Sequence, residues 1–562
     1  MTDYREHSQI PMLKQQFAEG QLDRREFLRY STLLGLSATA AYAFVGKVTG
    51  TRFVAPARAA SMPKGGTLRI SHRVHEMHNP HAYNWSQPGS ISMNVVNPLA
   101  YTHQDGVTRP GLAGSWEASD DLKVWTFHLR ENATWRKGGK RVSAEEVVAN
   151  FNHILDPDTG SSSVGLMKGY MLESFDTGKK DDKGKAIMST KLWDANAIET
   201  AGDYSVRFNL KTPQVAIPEH MFHYTNQIVD PSEGFKLEVG SNGSGAFEIV
   251  ELAVGQKCVL QARKDGWWGE GPYVDRIEFI DHGDDQAAGL AALASKQVDG
   301  LSSVALSQVP VLEKIPHVEV FGGHTAQTAV MQMIITEKPF DDPKVRIAMR
   351  HAMDAQRVVD LAVQGRGLPA EHHFVAPFHP EYAPLPEMKF DPAMCKKLLA
   401  EAGYPNGIDV SCLTDSGSAW QKAAVQSMAE MYKQCGINMK IDLQPSSVYW
   451  ENWDKAALGF IAWGPRPLGI QILALGFRSG VPWNPTGFAH KKFDDLLTKA
   501  EGTLDIEKRR VIMKELETIM QQEGPIAQPV WLDLITGYDK KVKGFKMHPA
   551  AFVFGWEMAI EA

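Results

Sequence analysis

Hydrophobic and polar positions alternate in several short stretches of the first half of the chain, and this pattern predicts β-strands. Residues 124–130 alternate after an Asp-Asp turn, and residues 204–210 alternate in the same way. A period of two is typical of strands with one buried face. Between these stretches, Ser143 and Glu146 have the spacing of a capping box, which predicts a helix that ends near Leu155.

Strand-like and helical segments alternate in the second half of the chain. Residues 329–335 form a continuous apolar run, which is typical of a strand buried on both faces. Asp342-Pro343 and Asp391-Pro392 each combine an N-cap with proline at the first helical position. Strand-like segments follow at 408–413 and 437–443, with a helical segment between them. This alternation predicts an α/β fold with a largely parallel sheet.

The N-terminal segment has the features of an export signal. Arg24-Arg25 precedes a weakly apolar stretch over residues 30–45, which is short for a membrane span, and Ala57-Arg58-Ala59 offers small residues for cleavage. The pattern resembles twin-arginine signals, which direct folded proteins across the inner membrane. We expect residues 1–59 to be removed, so that a periplasmic mature chain begins near Ala60. A retained N-terminal anchor is the alternative.

Composition narrows the class of protein. The 562 residues include 43% hydrophobic and 22% charged residues, which is typical of a soluble globular protein. The net charge of −7 gives no basic footprint for nucleic acid. The length suggests two or three structural units. The cysteines, Cys258, Cys395, Cys412 and Cys435, form no C-x-x-C pair, so we expect small buried hydrophobes, although export would permit a disulfide.

Five stretches of strand, cap and turn residues occur in one order along the chain. They are residues 112–117 with 125–130, 142–148, 243–247 with 267–269 and 273–277, 339–348 with 352–354, and 390–392 with 398–405. Each stretch is weak alone, but together they resemble the family 5 extracellular solute-binding proteins, which include the dipeptide- and oligopeptide-binding proteins of ABC importers. The resemblance covers nearly all of the mature chain.

The resemblance implies a two-lobed α/β fold that encloses its ligand when the lobes close around hinges. It places lobe I at 60–324 with an inserted subdomain at roughly 105–240, lobe II at 325–523, the return to lobe I at 524–562, and hinges near Gly322-Gly323 and Glu523-Gly524. It also implies a monomer that captures a small-molecule or peptide ligand and delivers it to ABC permease subunits. Catalytic residues and cofactors are not expected.

Peptide binders of this family carry an acidic residue three positions after a tryptophan in lobe II, where it holds the ligand's α-amino group. This chain keeps the tryptophan as Trp463 but has Arg466 at the acidic position. A desolvated arginine is costly beside an ammonium but forms a charge-assisted pair with a carboxylate or phosphate. We therefore predict a ligand with an anionic or electron-rich group, and we expect ordinary peptides to bind poorly. The alternative is that Arg466 points to solvent or pairs with an internal carboxylate.

Further candidates for ligand contact lie near the expected cleft and hinges. They are Tyr83, Trp85, His324, Arg366 and Trp483, and Trp450 and Trp453 could sandwich a ligand with Trp463. Because buried aromatic residues are often part of the core, each aromatic candidate also has a structural interpretation.

Four histidines recur at every third position: His72, His75, His78 and His81. Imidazoles suit nickel, copper or zinc. In an extended segment, however, this spacing places successive side chains on opposite faces. We therefore interpret them as loop and cleft-edge residues and predict no metal site.

Other functions on the same scaffold stay open at this point. The ligand could be an opine, a glycoside, a modified peptide or a metal chelate, and the protein could serve a chemoreceptor as a sensor. A periplasmic redox enzyme would also use a twin-arginine signal. The chain has no G-x-G-x-x-G fingerprint, C-x-x-C-H haem site, iron–sulfur cysteine spacing or G-x-S-x-G elbow, so we do not expect an enzyme.

Overall fold

A computed structural model gives the fold of the chain. It describes residues 6–50, 62–180, 184, 186–283 and 286–561. The expected cleavage motif at 57–59 and the expected first mature residue, Ala60, lie outside the described residues. Across the described ranges, no helix has both the length and the apolar character needed to cross a membrane.

Helices and strands follow one another along most of the chain. The helices are α1 (Ile10–Ala18), α2 (Arg24–Leu33), α3 (Ala38–Thr49), α4 (Ser86–Ser92), α5 (Ala144–Leu155), α6 (Ser163–Met171), α7 (Ile217–His220), α8 (Gln286–Ala294), α9 (Val309–Leu312), α10 (Pro343–His351), α11 (Ala355–Ala362), α12 (Pro392–Glu401), α13 (Ala419–Gln434), α14 (Ser446–Asn452), α15 (Gly469–Phe477), α16 (Lys491–Glu501) and α17 (Ile506–Glu523). The strands are β1 (Thr67–Ser71), β2 (Ala100–Thr102), β3 (Thr108–Pro110), β4 (Ala113–Ala118), β5 (Val124–Leu129), β6 (Leu172–Lys180), β7 (Ala186–Leu192), β8 (Ile198–Thr200), β9 (Ser205–Asn209), β10 (Phe247–Ala253), β11 (Lys257–Ala262), β12 (Arg276–Ile280), β13 (Gly300–Leu301), β14 (Val318–Met333), β15 (Gly367–Pro369), β16 (Ile408–Asp415), β17 (Ile437–Gln444), β18 (Leu458–Trp463), β19 (Ile526–Asp539), β20 (Val542–Lys543) and β21 (Ala559–Ile560).

The local helix signals are confirmed by the structure. Ser143 accepts a hydrogen bond from the Glu146 amide while the Glu146 side chain accepts from the Ser143 amide, so the capping box begins α5. Asp342 accepts a hydrogen bond from the Lys344 amide at the start of α10, and Asp391 accepts one from the Met394 amide at the start of α12, each helix with proline at its start. These short polar side chains satisfy amides that have no partner inside the helix.

The main sheet has 11 strands in the order β10-β11-β12-β1-β13-β19-β14-β18-β16-β17, with β15 beside β19. The long strands β14 and β19 run antiparallel through its centre and join the two halves. Their pairing shifts in register between His324 and Thr328. The main sheet therefore consists of two halves that share two continuous strands.

The α/β fold is confirmed, but the expected largely parallel sheet is only partly found. β16 is parallel to β17 and β18, and β1 is parallel to β12 and β13. β14 instead pairs antiparallel with both β18 and β19. The reason is topological, because β14 leaves the first half of the sheet for the second and β19 returns.

A smaller sheet, β4-β5-β9-β8, and the hairpin β6-β7 lie within the region expected to hold an inserted subdomain. Helix α5 packs against β8 and β9. The core of this region includes Trp125, Phe127 and Phe208 and is continuous with buried residues of α15–α17. The exact division of the chain into lobes stays a prediction.

The N-terminal segment packs against the rest of the protein through α1–α3. Phe27, Tyr30 and Leu33 are fully buried and belong to the same hydrophobic core as Trp116 and Leu516. The sequence analysis left this segment outside the fold, and its removal stays a prediction. In the uncleaved chain, α2 contributes to the core.

The four cysteines are buried, and each of the four histidines at every third position is either buried or in contact with another side chain. All four cysteines are buried free thiols, as expected. His72 and His81 are buried, His75 stacks on Trp85, and His78 pairs with Glu238 at 2.8 Å. Burial lowers the pKa of His81 to about 3, so this imidazole is neutral. Within the described ranges, no three His, Cys, Asp or Glu side chains are grouped so that they could hold a metal ion.

Arg350 fixes the start of β19, where one hinge is expected. Its side chain is fully buried in α10. The guanidinium donates to the carbonyl oxygens of Ile526 at 2.8 Å, Gln522 at 3.3 Å and Gly524. One side chain thus holds three carbonyls at the entry to the returning strand.

We predict that Arg350→Met destabilises the protein by about 3 kcal/mol, because three carbonyls lose a buried, charged donor while the apolar volume is kept. Thermal and urea unfolding measure this change. Arg357→Met, on the exposed side of α11, is the matched control and should leave stability nearly unchanged. Equal stability of the Arg350 variant and the control would contradict the role given to Arg350.

Candidate functional site

A cavity of about 530 Å³ lies where the two halves of the main sheet meet. His324 lines it from the register shift in β14, Trp463 from the end of β18, and Arg466 from the loop that follows. Trp85, before α4, and Trp483, after α15, complete this group. The volume suits a small solute. These five sequence candidates are therefore brought together at one cavity.

Trp463 is the centre of the aromatic wall. It is 6% exposed, and its ring centroid lies 5.5 Å from Phe374, 6.3 Å from Trp453 and 6.0 Å from Trp483. Its buried Nε1 has no hydrogen-bond partner among the described residues. Buried donors are usually paired. The indole can therefore offer a ligand both an apolar face and a donor.

Arg466 has backbone partners but no carboxylate partner among the described residues. Its Nη1 donates to the carbonyls of Gly464 at 3.2 Å and Pro465 at 3.0 Å, and its guanidinium carbon lies 5.6 Å from the centre of the Tyr224 ring. The buried Nε is without a partner. The structure therefore leaves donor capacity on this cation at the cavity.

His379 positions the backbone of Arg466. The His379 Nδ1 accepts from the Ala376 amide at 3.0 Å, which leaves the proton on Nε2 to donate to the Arg466 carbonyl at 2.9 Å. Burial lowers the pKa of His379 to about 3, with the hydrogen bond to the Arg466 carbonyl opposing the shift. A neutral imidazole thus holds the loop without adding a second cation.

Trp85 and Trp450 close one side of the cavity. Trp85 stacks on His75 with ring centroids 5.7 Å apart and meets the edge of Trp450 at 4.3 Å. Trp85 belongs to the first half of the molecule and Trp450 to α14 in the second. This contact therefore joins the two sides of the cleft directly.

His324 forms a further contact between β14 and β19, because its Nδ1 lies 2.6 Å from Asp533 Oδ1. Two other candidates lie away from the cavity. Tyr83 is buried and donates to the Met77 carbonyl at 3.0 Å, so it belongs to the core beneath the cleft. Arg366 forms a pair with Glu313 at 3.3 Å outside the cavity wall. Neither residue lines the cavity, and contact of either with a ligand stays a prediction.

Sequence reasoning missed several residues of the cavity wall. Arg25 and Arg29 from α2 reach it, together with Glu219 of α7 and His223. Burial, with a smaller contribution from Arg466, lowers the pKa of His223 well below its ordinary value. The first two belong to the segment assigned to export, and Glu219 lies in a four-residue helix with no periodic pattern. Only their place in three dimensions reveals them.

Two sheet halves crossed by a pair of long strands, with a cavity at the crossing, define the two-lobed solute-binding fold. DppA from Helicobacter pylori in complex with peptide STSA shares it, with a TM-score of 0.75, 21% identity, and coverage of 89% of this chain and 99% of that chain. AgaA from A. tumefaciens R10 in complex with agropinic acid gives a TM-score of 0.76 and 22% identity, over 88% of this chain and 99% of that chain.

The family model described as "Bacterial extracellular solute-binding proteins, family 5 Middle" matches residues 108–476. The chain belongs to this family. Among curated relatives, the glutathione-binding protein GsiB of Escherichia coli (strain K12) is 26% identical over 469 residues, which cover 78% of this chain and 83% of the relative. The same figures hold for GsiB of Shigella boydii serotype 4 (strain Sb227).

These findings confirm three predictions from the sequence: the family, the two-lobed α/β fold, and the function of a solute-binding protein of an ABC importer. The family assignment supports a binding role rather than a catalytic one. Contact with the ligand stays a prediction for Arg466, Trp463, Trp85, His324 and Trp483.

We predict that Trp450→Ala opens the cleft of the ligand-free protein. An edge-to-face aromatic pair contributes about 1 kcal/mol, so its loss should lower the ratio of closed to open molecules roughly fivefold. Small-angle X-ray scattering would then show a larger radius of gyration. Phe175→Ala, at an exposed position on β6, is the control. If both variants scatter like the wild type, the Trp85–Trp450 contact does not hold the cleft.

Proposed function

We propose that this protein captures a small peptide-like solute that carries a carboxylate, and that Arg466 pairs with that carboxylate. The proposal depends on one observation: Arg466, at the cavity, has unused hydrogen-bond donors. Among the described residues, no carboxylate pairs with it. A guanidinium binds a carboxylate through two parallel hydrogen bonds. Hydrogen bonds to charged groups contribute about 1.5–3 kcal/mol each.

Glutathione is the solute we propose to test first. The GsiB relatives are named for binding it, and they match most of this chain. Glutathione is a modified tripeptide with two carboxylates and one ammonium, so it offers Arg466 an anion while presenting amides to the aromatic wall. Ordinary dipeptides share the backbone. The family's peptide binders, however, hold the dipeptide ammonium with an acidic residue at the position that Arg466 occupies in this chain.

We also propose the route and architecture expected from the sequence. Residues 1–59 direct export by the twin-arginine route and are removed near Ala60, and the periplasmic product acts as a monomer without a cofactor. The division into lobe I at 60–324 and 524–562 and lobe II at 325–523 is supported by the two strands that cross between the sheet halves. The permease subunits of an ABC importer receive the ligand.

Arg466→Ala should weaken glutathione binding by about tenfold to a hundredfold, because the carboxylate loses charge-assisted hydrogen bonds. Isothermal titration calorimetry on protein recovered from the periplasm measures the affinity for glutathione, for an unblocked dipeptide and for an opine. Arg466→Lys keeps the charge without the planar fork and should retain part of the affinity.

Arg357→Ala removes an exposed arginine that does not line the cavity, and it should leave the affinity unchanged. Full affinity for glutathione in Arg466→Ala would contradict the proposed function. Binding of the dipeptide as tightly as glutathione would contradict the expectation that ordinary peptides bind poorly. Tight binding of the opine alone would retain the role of Arg466 and replace the peptide-like solute.

A further inference from the structure

Arg29 of the N-terminal segment lies inside the ligand cavity. Its Nε donates to Glu219 Oε1 at 2.7 Å, and its Nη2 donates to the Pro467 carbonyl at 2.9 Å. Arg29 is 4% exposed and Glu219 is 2% exposed. Pro467 directly follows Arg466. The arginine of the segment therefore bridges an acidic residue of one side of the cleft and the loop that carries Arg466.

Glu219 has unused capacity to bind a cation. Its Oε2 is buried and has no hydrogen-bond partner among the described residues, although a carboxylate can accept several hydrogen bonds. Burial raises the pKa of Glu219, while the charge and hydrogen bonds of Arg29 oppose that shift. Arg509 acts on Glu219 more weakly and has its own buried partner, Glu381, at 3.5 Å.

The segment holds Arg29 in place by contacts on both sides of the cleft. On one side, the Trp116 Nε1 donates to the Leu33 carbonyl at 3.0 Å, and the Tyr42 hydroxyl donates to Asp105 at 3.0 Å. On the other side, Arg510 forms an ion pair with Glu26. The N-terminal segment thus crosses the cleft and contacts both of its sides. Removal of this segment takes away the cation that pairs with Glu219.

We propose that Glu219 is the subsite for the cationic group of the ligand, and that Arg29 occupies this subsite until the N-terminal segment leaves. A buried carboxylate without a cation is costly, so a ligand ammonium gains by replacing the guanidinium. Glu219 and Arg466 then form an acidic and a basic subsite on neighbouring parts of one cavity. This inference rests on the proposed function and narrows the ligand to a zwitterion.

The test uses the full chain with a cleavage site for a sequence-specific protease introduced within residues 51–59. Calorimetry measures glutathione binding before cleavage and after cleavage and removal of the segment. We expect the affinity to rise at least about tenfold after removal, because Arg29 no longer competes for Glu219. In the uncleaved chain, Arg29→Gln should raise the affinity in the same direction. Equal affinity before and after cleavage would overturn the masking of the subsite.

The role of Glu219 is tested in the cleaved protein with a second probe, the deamino analogue of glutathione, which lacks the ammonium. Glu219→Gln should weaken glutathione about tenfold or more and leave the analogue within roughly twofold. Glu219→Asp keeps the charge and should retain the preference for glutathione. Glu313→Gln, which changes an exposed carboxylate outside the cavity, is the matched control.

The two proposals fail in different ways. If the wild type binds both probes equally, or if Glu219→Gln weakens both equally, Glu219 does not read the ammonium and the proposed function stands without it. If neither probe binds the cleaved wild type, the proposed function is contradicted and the inference falls with it. Thermal unfolding of each variant confirms that a loss of affinity reflects the site rather than the fold.

Discussion

The antiparallel pairing of β14 and β19 carries the chain between the two halves of the sheet, and the position of every cavity residue depends on it. The register of this pairing shifts between His324 and Thr328 and again between Ala329 and Met331. Thr328 is in register with Trp463 on β18, so the first shift lies beside the tryptophan that ends that strand. Because the ladder is interrupted at this place, side chains from both halves converge on the cavity.

The cavity combines an apolar wall with charged side chains of both signs. Trp463 and its aromatic neighbours supply contact area, while Arg466 and Glu219 supply opposite charges on adjacent surfaces. A charge buried in a binding cavity is costly when it has no partner. The cavity therefore favours ligands that bring the opposite charge. The buried pair between Arg29 and Glu219 fits this principle, because the uncleaved chain supplies a cation of its own.

Helix caps, strands and family motifs could be predicted from the sequence, because each depends on residues that lie close together along the chain. The capping box of Ser143 and Glu146, for example, needs only residues three apart. Trp463 and Arg466 could be found because a family pattern places them at the cleft. The largely parallel sheet was only partly correct, because local patterns do not record that β14 and β19 run in opposite directions between the halves.

Other parts of the site could not be predicted, because they depend on contacts between distant segments. Glu219 meets Arg29 across a separation of 190 residues, and neither residue belongs to a pattern that indicates ligand binding. Tyr83 and Arg366 illustrate the converse case, since both lie close in sequence to the cleft or hinge while their side chains contact Met77 and Glu313. The direction in which a side chain points depends on the packing of the whole folded protein, so nearby residues in the sequence do not determine it.

The central claim is that a carboxylate-bearing solute binds between the lobes with its anion on Arg466. A crystal structure of the processed protein grown with glutathione tests it most directly. We expect a ligand carboxylate within hydrogen-bond distance of the Arg466 guanidinium and the ligand backbone against Trp463. A bound glutathione whose carboxylates both lie away from Arg466, with that arginine turned to solvent, would contradict it.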